Sequence, residues 1–172
     1  ELIVKAVEMF EPVAEERQVK LHASAADIQV SGNPREIRQL LTNLIDNAIK
    51  FTPSGGSVYI SLARGHDHRF ACLKVRDTGI GIPPQDLGRV FDRFFQVDKS
   101  RHRGVETRGN GLGLSICQAI VHAHRGTISV DSKVDFGTTF TVLLPTARSV
   151  AALPAMPGTP KNNAFDSGED AS

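Results

Sequence analysis

One amphipathic stretch decides the fold of this chain: residues 33–53 read NPREIRQLLTNLIDNAIKFTP. It begins with residues typical of a helix N-terminus, with Asn33 as N-cap, Pro34 as first helical residue and Glu36 as capping-box partner. Apolar residues then recur at helical spacing, at Ile37, Leu40, Leu41, Leu44, Ile45 and Ala48. We therefore predict a long helix that packs this face on a core and ends before Pro53.

Short strands and further helices surround that central helix. Strand patterns lie at residues 19–23, 28–31, 58–62, 71–76, 127–131 and 138–144. The segments 58–62 and 71–76 alternate apolar and polar residues around a polar tip, so we predict that they pair antiparallel. Further helices are predicted at residues 2–13, loosening near Pro12, at about 84–90, and at 112–124, ended by Gly126.

The composition limits the class of protein. The chain has 172 residues and 18.6 kDa, which is enough for one sizeable core. A formal charge of +1 gives no field that favours nucleic acid, and the apolar runs are too short to span a membrane. Cys72 and Cys117 are too few for a disulfide framework or a zinc cluster, and the six histidines show no metal-site spacing. We therefore expect a reducing, cytoplasmic setting.

The two ends of the sequence differ from its centre. The chain begins at Glu1 within a helical pattern and without Met, from which we expect a piece of a longer protein. After Pro145 the composition changes to Ala, Pro, Gly, Ser and Asn, which is typical of disorder. We expect one domain at residues 1–146, in which 1–17 form a junction helix, and a disordered tail at 147–172.

A polar stripe lies on the predicted central helix. Asn43, Asn47 and Lys50 are spaced i, i+4 and i+7, which places two carboxamides and an ammonium on one side. A carboxamide oxygen suits a hard cation such as Mg²⁺, and lysine suits phosphate oxygens. The alternative is a solvated helix face.

Two glycine-rich runs follow. DTGIG, from Asp77 to Gly81, comes directly after a strand, where the Asp77 carboxylate can accept a hydrogen bond from an exocyclic amine; a plain turn is the alternative. GNGLG, from Gly109 to Gly113, leads into a helix, where backbone N–H groups can gather around phosphates. This second run has neither P-loop nor Rossmann spacing. Together with the polar stripe, they predict a nucleotide site.

The segment between the glycine runs combines aromatic residues with positive charge. It reads FDRFFQ at residues 91–96 and then carries the basic residues Lys99, Arg101, Arg103 and Arg108. This combination is typical of a lid over an anion. The alternative is that Phe91 and Phe94 pack in the core.

Five ordered motifs resemble those of one protein family, the catalytic and ATP-binding domain of bacterial two-component sensor histidine kinases. Its asparagine box resembles residues 38–53, its two glycine boxes DTGIGIP at 77–83 and GNGLGLSI at 109–116, its phenylalanine box FDRFF at 91–95, and its last box GTTF at 137–140. The superfamily also includes DNA gyrase B, the Hsp90 chaperone and MutL. The resemblance implies an α/β fold of the Bergerat type, a two-layer sandwich in which about three helices cover one face of a mixed, mostly antiparallel sheet.

The same resemblance implies roles for residues of this sequence. Asn47 would bind Mg²⁺, Asn43 and Lys50 would contact the phosphates as the catalytic residues, and Asp77 would hold the adenine amine. The other residues implied around ATP are Phe51, Gly79, Gly81, Ile82, Arg93, Phe94, Gly109, Gly111, Leu112, Gly113, Leu114 and Thr138.

Asn43 separates a kinase from an ATPase within that superfamily. In the gyrase and chaperone branch a Glu stands at this position and acts as general base on water. A carboxamide cannot take a proton, so the resemblance implies transfer of the γ-phosphate to a presented histidine. The alternatives left open are a gyrase- or chaperone-like ATPase and a non-catalytic nucleotide-binding module.

A kinase of this class needs an acceptor histidine. The nearest imitation of the acceptor motif, HDHRFA at residues 66–71, lacks the proline and lies on a predicted turn, so we reject it. We expect the acceptor on a dimerisation domain of the same protein before Glu1, a response-regulator receiver domain as downstream partner, and a homodimer for the whole protein. We expect no nucleic-acid partner and no membrane contact by this chain, which would be the cytoplasmic part of a membrane-bound sensor.

Overall fold

The helices and strands surround one sheet. The computed structural model describes residues 1–65, 68–97 and 110–147. The α-helices within these ranges are α1 (Leu2–Glu16), α2 (Pro34–Phe51) and α3 (Gly113–Ala123). The strands are β1 (Lys20–Ala25), β2 (Ser57–Arg64), β3 (Phe70–Asp77), β4 (Thr127–Lys133) and β5 (Gly137–Pro145).

The sheet is mixed, with the strand order β1-β2-β3-β5-β4. β1 and β2 pair in parallel, which requires a crossover connection, and α2 supplies it. The pairs β2–β3, β3–β5 and β4–β5 are antiparallel. The predicted α/β fold with a mostly antiparallel sheet is confirmed.

The core lies between the helices and one face of the sheet. Along β3 and β5, buried residues such as Val75, Phe140 and Val142 alternate with more exposed ones. The buried residues of α2 are Ile37, Leu40, Leu41, Leu44, Ile45, Ala48 and Ile49. Leu44 is fully buried, so its truncation to Ala is expected to cost about 2–5 kcal/mol. This packing makes α2 a rigid base for the polar side chains on its other side.

The start of α2 differs from the predicted capping box. The Asn33 side chain accepts a hydrogen bond from the Arg35 N–H at 3.0 Å, as an N-cap does. The Asn33 N–H donates to Nε2 of His124 at 3.0 Å, where Glu36 was the expected acceptor. Glu36 instead lies with its carboxylate 3.7 Å from Nδ1 of the same imidazole. A histidine distant in sequence therefore replaces the local capping partner.

α1 continues through Pro12, where we expected the helix to loosen. Proline leaves the Glu8 carbonyl without its helical donor. Both residues are exposed, so water can bond that carbonyl. Ile3 and Ala14, one before and one after the proline, are buried in the same core, and this packing favours an uninterrupted helix.

Two predicted elements are smaller than expected. The segment at 28–31 forms one isolated bridge, between Val30 and Thr146. The segment at 84–90 contains only a 3-10 turn, Leu87–Arg89. Its backbone hydrogen bonds run from residue i to i−3, a pattern that does not extend into a long helix.

The end of α3 also differs in detail. The left-handed residue after the helix is Arg125, with φ 55°, and not the expected Gly126. Gly126 is required for packing instead, because a Cβ there would lie 2.3 Å from the Leu143 carbonyl oxygen.

None of the helices in the described part of the chain is long and apolar enough to cross a membrane. Of the expected tail at residues 147–172, all but Ala147 lies outside the described residues.

Candidate functional site

Asp77 is a buried carboxylate at the end of the central strand β3. Only 4% of the Asp77 surface is exposed to solvent. Oδ1 accepts hydrogen bonds from the Gly79 N–H at 2.8 Å and the Thr138 N–H at 3.1 Å. Burial raises the pKa of this carboxyl, and the two backbone donors partly oppose the rise. Both bonds end on Oδ1, so Oδ2 can accept a bond from a ligand.

The loop after Asp77 packs closely against the backbone of two other elements, the end of α2 and the β4–β5 turn. A Cβ on Gly79 would lie 2.3 Å from the Phe51 carbonyl oxygen, which accepts a hydrogen bond from the Ile80 N–H at 3.2 Å. Gly81 has φ 69°, and a Cβ there would lie 2.1 Å from the Lys133 carbonyl oxygen. Glycine is therefore required at both positions by close backbone approach.

The hydroxyls of Ser132 and Thr138 contact each other at the Asp77 end of the site. Thr138, which is 6% exposed, lies with Oγ1 2.9 Å from Oγ of Ser132. The Ser132 hydroxyl also accepts a hydrogen bond from the Ile82 N–H at 2.8 Å. The structure thus brings together six of the residues implied around ATP, namely Phe51, Asp77, Gly79, Gly81, Ile82 and Thr138.

Ser132 was missed by the sequence analysis, although a signal exists. Along β4, Ile128, Val130 and Ser132 are half-buried and alternate with exposed residues. A serine therefore occupies a register position that otherwise carries apolar side chains. A polar residue on the core-facing side of a strand indicates a specific hydrogen-bonding partner.

The predicted polar stripe lies on one side of α2. Asn43, Asn47 and Lys50 are all half-buried. The Asn43 carboxamide donates through Nδ2 to the Gly113 carbonyl at 3.3 Å, which ties α2 to the start of α3. Nζ of Lys50 lies 5.2 Å from the centroid of the Phe51 ring. Phe51 is eight positions after Asn43, about 12 Å along a helix axis, so α2 links this stripe to the Asp77 loop.

Asn43 is also the neighbour of a buried thiol. Burial raises the pKa of Cys117 to about 12, and a hydrogen bond with the Asn43 side chain opposes this rise. Sγ of Cys117 lies 3.8 Å from the Leu40 carbonyl oxygen. The thiol is therefore a structural contact between α2 and α3 and carries no thiolate chemistry.

The second glycine run joins Phe94 to the start of α3. Gly111 has φ 67°, its carbonyl accepts from the Phe94 N–H at 2.9 Å, and a Cβ there would lie 2.7 Å from the Phe94 carbonyl carbon. Leu112 precedes the helix as N-cap, and Leu114 packs against the core. The nearest atom to a Cβ on Gly113 is Cγ of Asn43, at 3.9 Å. Gly109 lies outside the described residues.

The phenylalanine segment divides into a packed and an exposed part. Phe91 meets Phe140 edge to face, with ring centroids 6.2 Å apart, so one of the two aromatics packs on the core. Phe94 is 71% exposed and has φ 64°. Arg93 is exposed beside it. The basic residues of the expected lid, from Lys99 to Arg108, lie outside the described residues.

Comparison with known proteins identifies the class to which this arrangement belongs. Residues 32–148 match the family described as histidine kinase-, DNA gyrase B- and HSP90-like ATPase. The match covers more than half of the chain, and the chain belongs to this family.

Individual relatives narrow the class to sensor histidine kinases. Sensor histidine kinase CusS of Escherichia coli O6:H1 is 41% identical over 141 residues, which are 82% of this chain and 28% of CusS. The solved mycobacterial sensor histidine kinase MprB is 31% identical, with a TM-score of 0.71 and coverage of 84% of this chain and 92% of that one. Full-length ShkA in complex with AMPPNP is 28% identical, with a TM-score of 0.70 and coverage of 85% and 29%. The chain thus has the catalytic domain of sensor histidine kinases and spans less than a third of CusS.

Proposed function

We propose that this chain binds Mg-ATP and transfers the γ-phosphate to a histidine on an acceptor domain, as a step of two-component signalling. The observation that carries the proposal is the buried carboxylate of Asp77, which keeps Oδ2 unused while Oδ1 takes both backbone donors. Burial of a charged group is costly, and the two backbone hydrogen bonds to Oδ1 offset this cost only in part, because the pKa of Asp77 remains raised. Such a group at a strand end is typical of a binding function.

The base of ATP is proposed to bind at the Asp77 loop. Oδ2 would accept a hydrogen bond from the exocyclic amine of adenine, with Gly79 and Gly81 keeping the backbone close to the ring. ShkA, a structural relative, is crystallised with the ATP analogue AMPPNP, which supports this class of ligand. A buried acceptor of this kind discriminates against a base that lacks the amine, because its own bond would then be lost.

The phosphates are proposed to lie along the stripe of Asn43, Asn47 and Lys50. The residues fit a magnesium ion: the Asn47 carboxamide is half-buried and makes no hydrogen bond to the described part of the chain, so its oxygen remains available. Mg²⁺ takes few protein ligands and fills its octahedron with phosphate oxygens and water. Asn47 would hold the ion, which when bound neutralises phosphate charge.

The reaction is proposed to be transfer to a histidine and not hydrolysis. The Asn43 carboxamide donates to the Gly113 carbonyl and cannot accept a proton, so no general base stands at the position where a hydrolase needs one. An acceptor imidazole brings its own lone pair. In the transfer, a bond forms between that nitrogen and the γ-phosphorus while the bond to the β–γ bridging oxygen breaks, and ADP leaves.

Labelled ATP tests this proposal. The chain is mixed with the separately produced acceptor segment of the same protein and with ATP labelled at the γ-phosphate. We expect label on the acceptor that is stable to base and labile to acid, as phosphohistidine is. The Asn47→Ala variant serves as a negative control. Steady release of free phosphate with an unlabelled acceptor would support the ATPase alternative, and ATP binding without either product would support a non-catalytic module.

The partners and location are part of the same proposal. The relatives are named sensor histidine kinases, which supports an acceptor domain in the same protein, a response regulator downstream and a homodimer for the whole protein. The cytoplasmic side of the membrane remains our prediction for the location of this domain.

A further inference from the structure

Ser132 connects three backbone or side-chain groups around the base end of the site. Its Oγ lies 2.8 Å from the Ile82 N–H nitrogen, 3.0 Å from the Gly137 carbonyl oxygen and 2.9 Å from Oγ1 of Thr138. The first group belongs to the loop after Asp77, and the other two open β5. One hydroxyl therefore joins the loop to the hairpin.

When all three contacts are made as hydrogen bonds, the proton count of this cluster sets the direction of each one. A serine hydroxyl has one proton to donate and two lone pairs that accept. The Gly137 carbonyl can only accept, so it takes the Ser132 proton. The Ile82 N–H can only donate and uses one lone pair. The Thr138 hydroxyl is left with one role: it donates its proton to Ser132.

The direction of these bonds determines which hydrogen-bonding groups of Thr138 are left for a ligand. A threonine hydroxyl whose proton is committed to Ser132 offers only lone pairs elsewhere. The Thr138 N–H is committed as well, to Oδ1 of Asp77 at 3.1 Å. The remaining polar atoms of this pair, Oγ1 of Thr138 and Oδ2 of Asp77, are both acceptors. The base end of the site is therefore complementary to a hydrogen-bond donor.

We infer that Ser132 is a positioning residue that sets nucleobase specificity by holding the Thr138 hydroxyl in its acceptor-only orientation. The inference rests on the proposed binding of ATP at this site. It commits the site to a purine that carries an exocyclic amine at position 6, and it assigns the rejection of a 6-carbonyl purine to Ser132 and Thr138 in addition to Asp77. Loss of the Ser132 hydroxyl would free the Thr138 proton, which could then bond a carbonyl oxygen.

Calorimetric titration of the 172-residue chain with ATP and with inosine triphosphate tests the inference, because the second nucleotide has a carbonyl in place of the amine and an N1–H in place of a lone pair. Both differences are the same for every variant, so a change in the affinity ratio between variants reports on the Ser132–Thr138 pair. For Ser132→Ala we expect ATP affinity to fall about 5-fold and the ratio of ATP to inosine triphosphate affinity to fall about 10-fold, the range of one or two hydrogen bonds. Ser132→Thr, which keeps a hydroxyl at this position, should keep the ratio of the unaltered chain. Ser129→Ala, an exposed serine on the same strand, should leave it unchanged.

The possible failures are distinguishable. If the unaltered chain binds neither nucleotide, the proposed ATP site is wrong, and the inference is overturned with it. If the unaltered chain prefers ATP and Ser132→Ala keeps that preference, only the inference is wrong. If Ser132→Ala does not fold, Ser132→Val fills the space of the hydroxyl with a methyl group that neither donates nor accepts, and an unchanged ratio in that variant would overturn the inference. In a Thr138→Val background, Ser132→Ala should no longer change the ratio.

Discussion

The two ends of the site are held in different ways. At the Asp77 end, backbone groups from the loop after β3, the end of α2 and the β4–β5 hairpin are bonded to one another, as in the bond of 2.9 Å from the Asp135 N–H to the Ile80 carbonyl. At the Asn43 end, side chains extend from α2, and the bond from Asn43 to Gly113 is long at 3.3 Å. The Asp77 end, where we propose that the base binds, is built by hydrogen bonds within the protein. The Asn43 end, where we propose that the phosphates bind, presents side chains that a charged ligand can order.

The difference follows from the chemistry of each end. An uncharged base contributes little electrostatic attraction, so its partner must be fixed in advance for the bond to be selective. Phosphates and their cation contribute strong charge-assisted bonds that compensate for ordering flexible side chains. We therefore expect substitutions at the Asp77 end to have larger effects than substitutions at the Asn43 end.

The largest effect is expected for Asp77→Asn. The amide can still accept from Gly79 and Thr138, but it presents an N–H₂ group toward the proposed adenine amine. Two donors then face each other, and ATP affinity should fall about 100-fold. Titration calorimetry measures the change. A variant that binds ATP normally would contradict the role of Asp77.

The same variant should not lose stability. The raised pKa of Asp77 means that the folded chain binds this proton more tightly than the unfolded chain. Stability therefore falls as pH rises from the ordinary aspartate pKa through the raised one. Asp77→Asn removes that penalty, so urea unfolding at neutral pH should show equal or greater stability, and the gain should vanish in acid.

A smaller effect, on stability, is expected for Gly81→Ala. The substitution adds a Cβ at φ 69° and 2.1 Å from the Lys133 carbonyl, so the loop and hairpin must separate. We expect a loss of about 2–3 kcal/mol in the free energy of unfolding. Gly55→Ala is the matched control, because it has φ 86° with nothing within 4 Å of the added Cβ. It should cost only about 1–2 kcal/mol. Equal losses in the two variants would show that the backbone contact is unimportant.

Asn47→Ala tests the phosphate end. The Asn47 side chain is half-buried and bonds to nothing in the described part of the chain, so unfolding should be unaffected. ATP affinity in the presence of Mg²⁺ should fall about 10-fold, the value of one good ligand bond. Affinity measured with a chelator present should be the same for the variant and the unaltered chain. A loss that persists with the chelator would exclude Asn47 as the cation ligand.

The smallest effect is expected at Cys117, which should react with a thiol reagent only very slowly in the folded chain. With a pKa raised to about 12 by burial, Cys117 has almost no thiolate at neutral pH. A thiol reagent should label the half-buried Cys72 first and Cys117 only on unfolding. The Cys72→Ala variant isolates the second rate. Rapid labelling of Cys117 in native buffer would mean that α2 and α3 separate beside Asn43 while the rest of the chain stays folded.

The outcome of the sequence predictions follows the range of the interactions involved. α2 was predicted to within its caps because its apolar spacing and its Asn33–Pro34 start are local signals. The capping partner of Asn33 was wrong because His124 lies 91 positions away in sequence. The 84–90 segment was overestimated because short helices depend on tertiary contacts more than on their own propensity.

The sequence by itself determined the mixed α/β fold and the residue types of the site, since helical and strand periodicity and ordered glycine-rich motifs are properties of neighbouring residues. The resemblance of its motifs to those of histidine kinases also implied that Asn43 stands where a hydrolase would carry a base. Only the tertiary structure decided that Thr138 donates its N–H to Asp77 and that Ser132 binds the loop and the hairpin together. These bonds join residues 50 or more positions apart, so they form only when the folded chain brings the partners together, and no pattern of neighbouring residues indicates them.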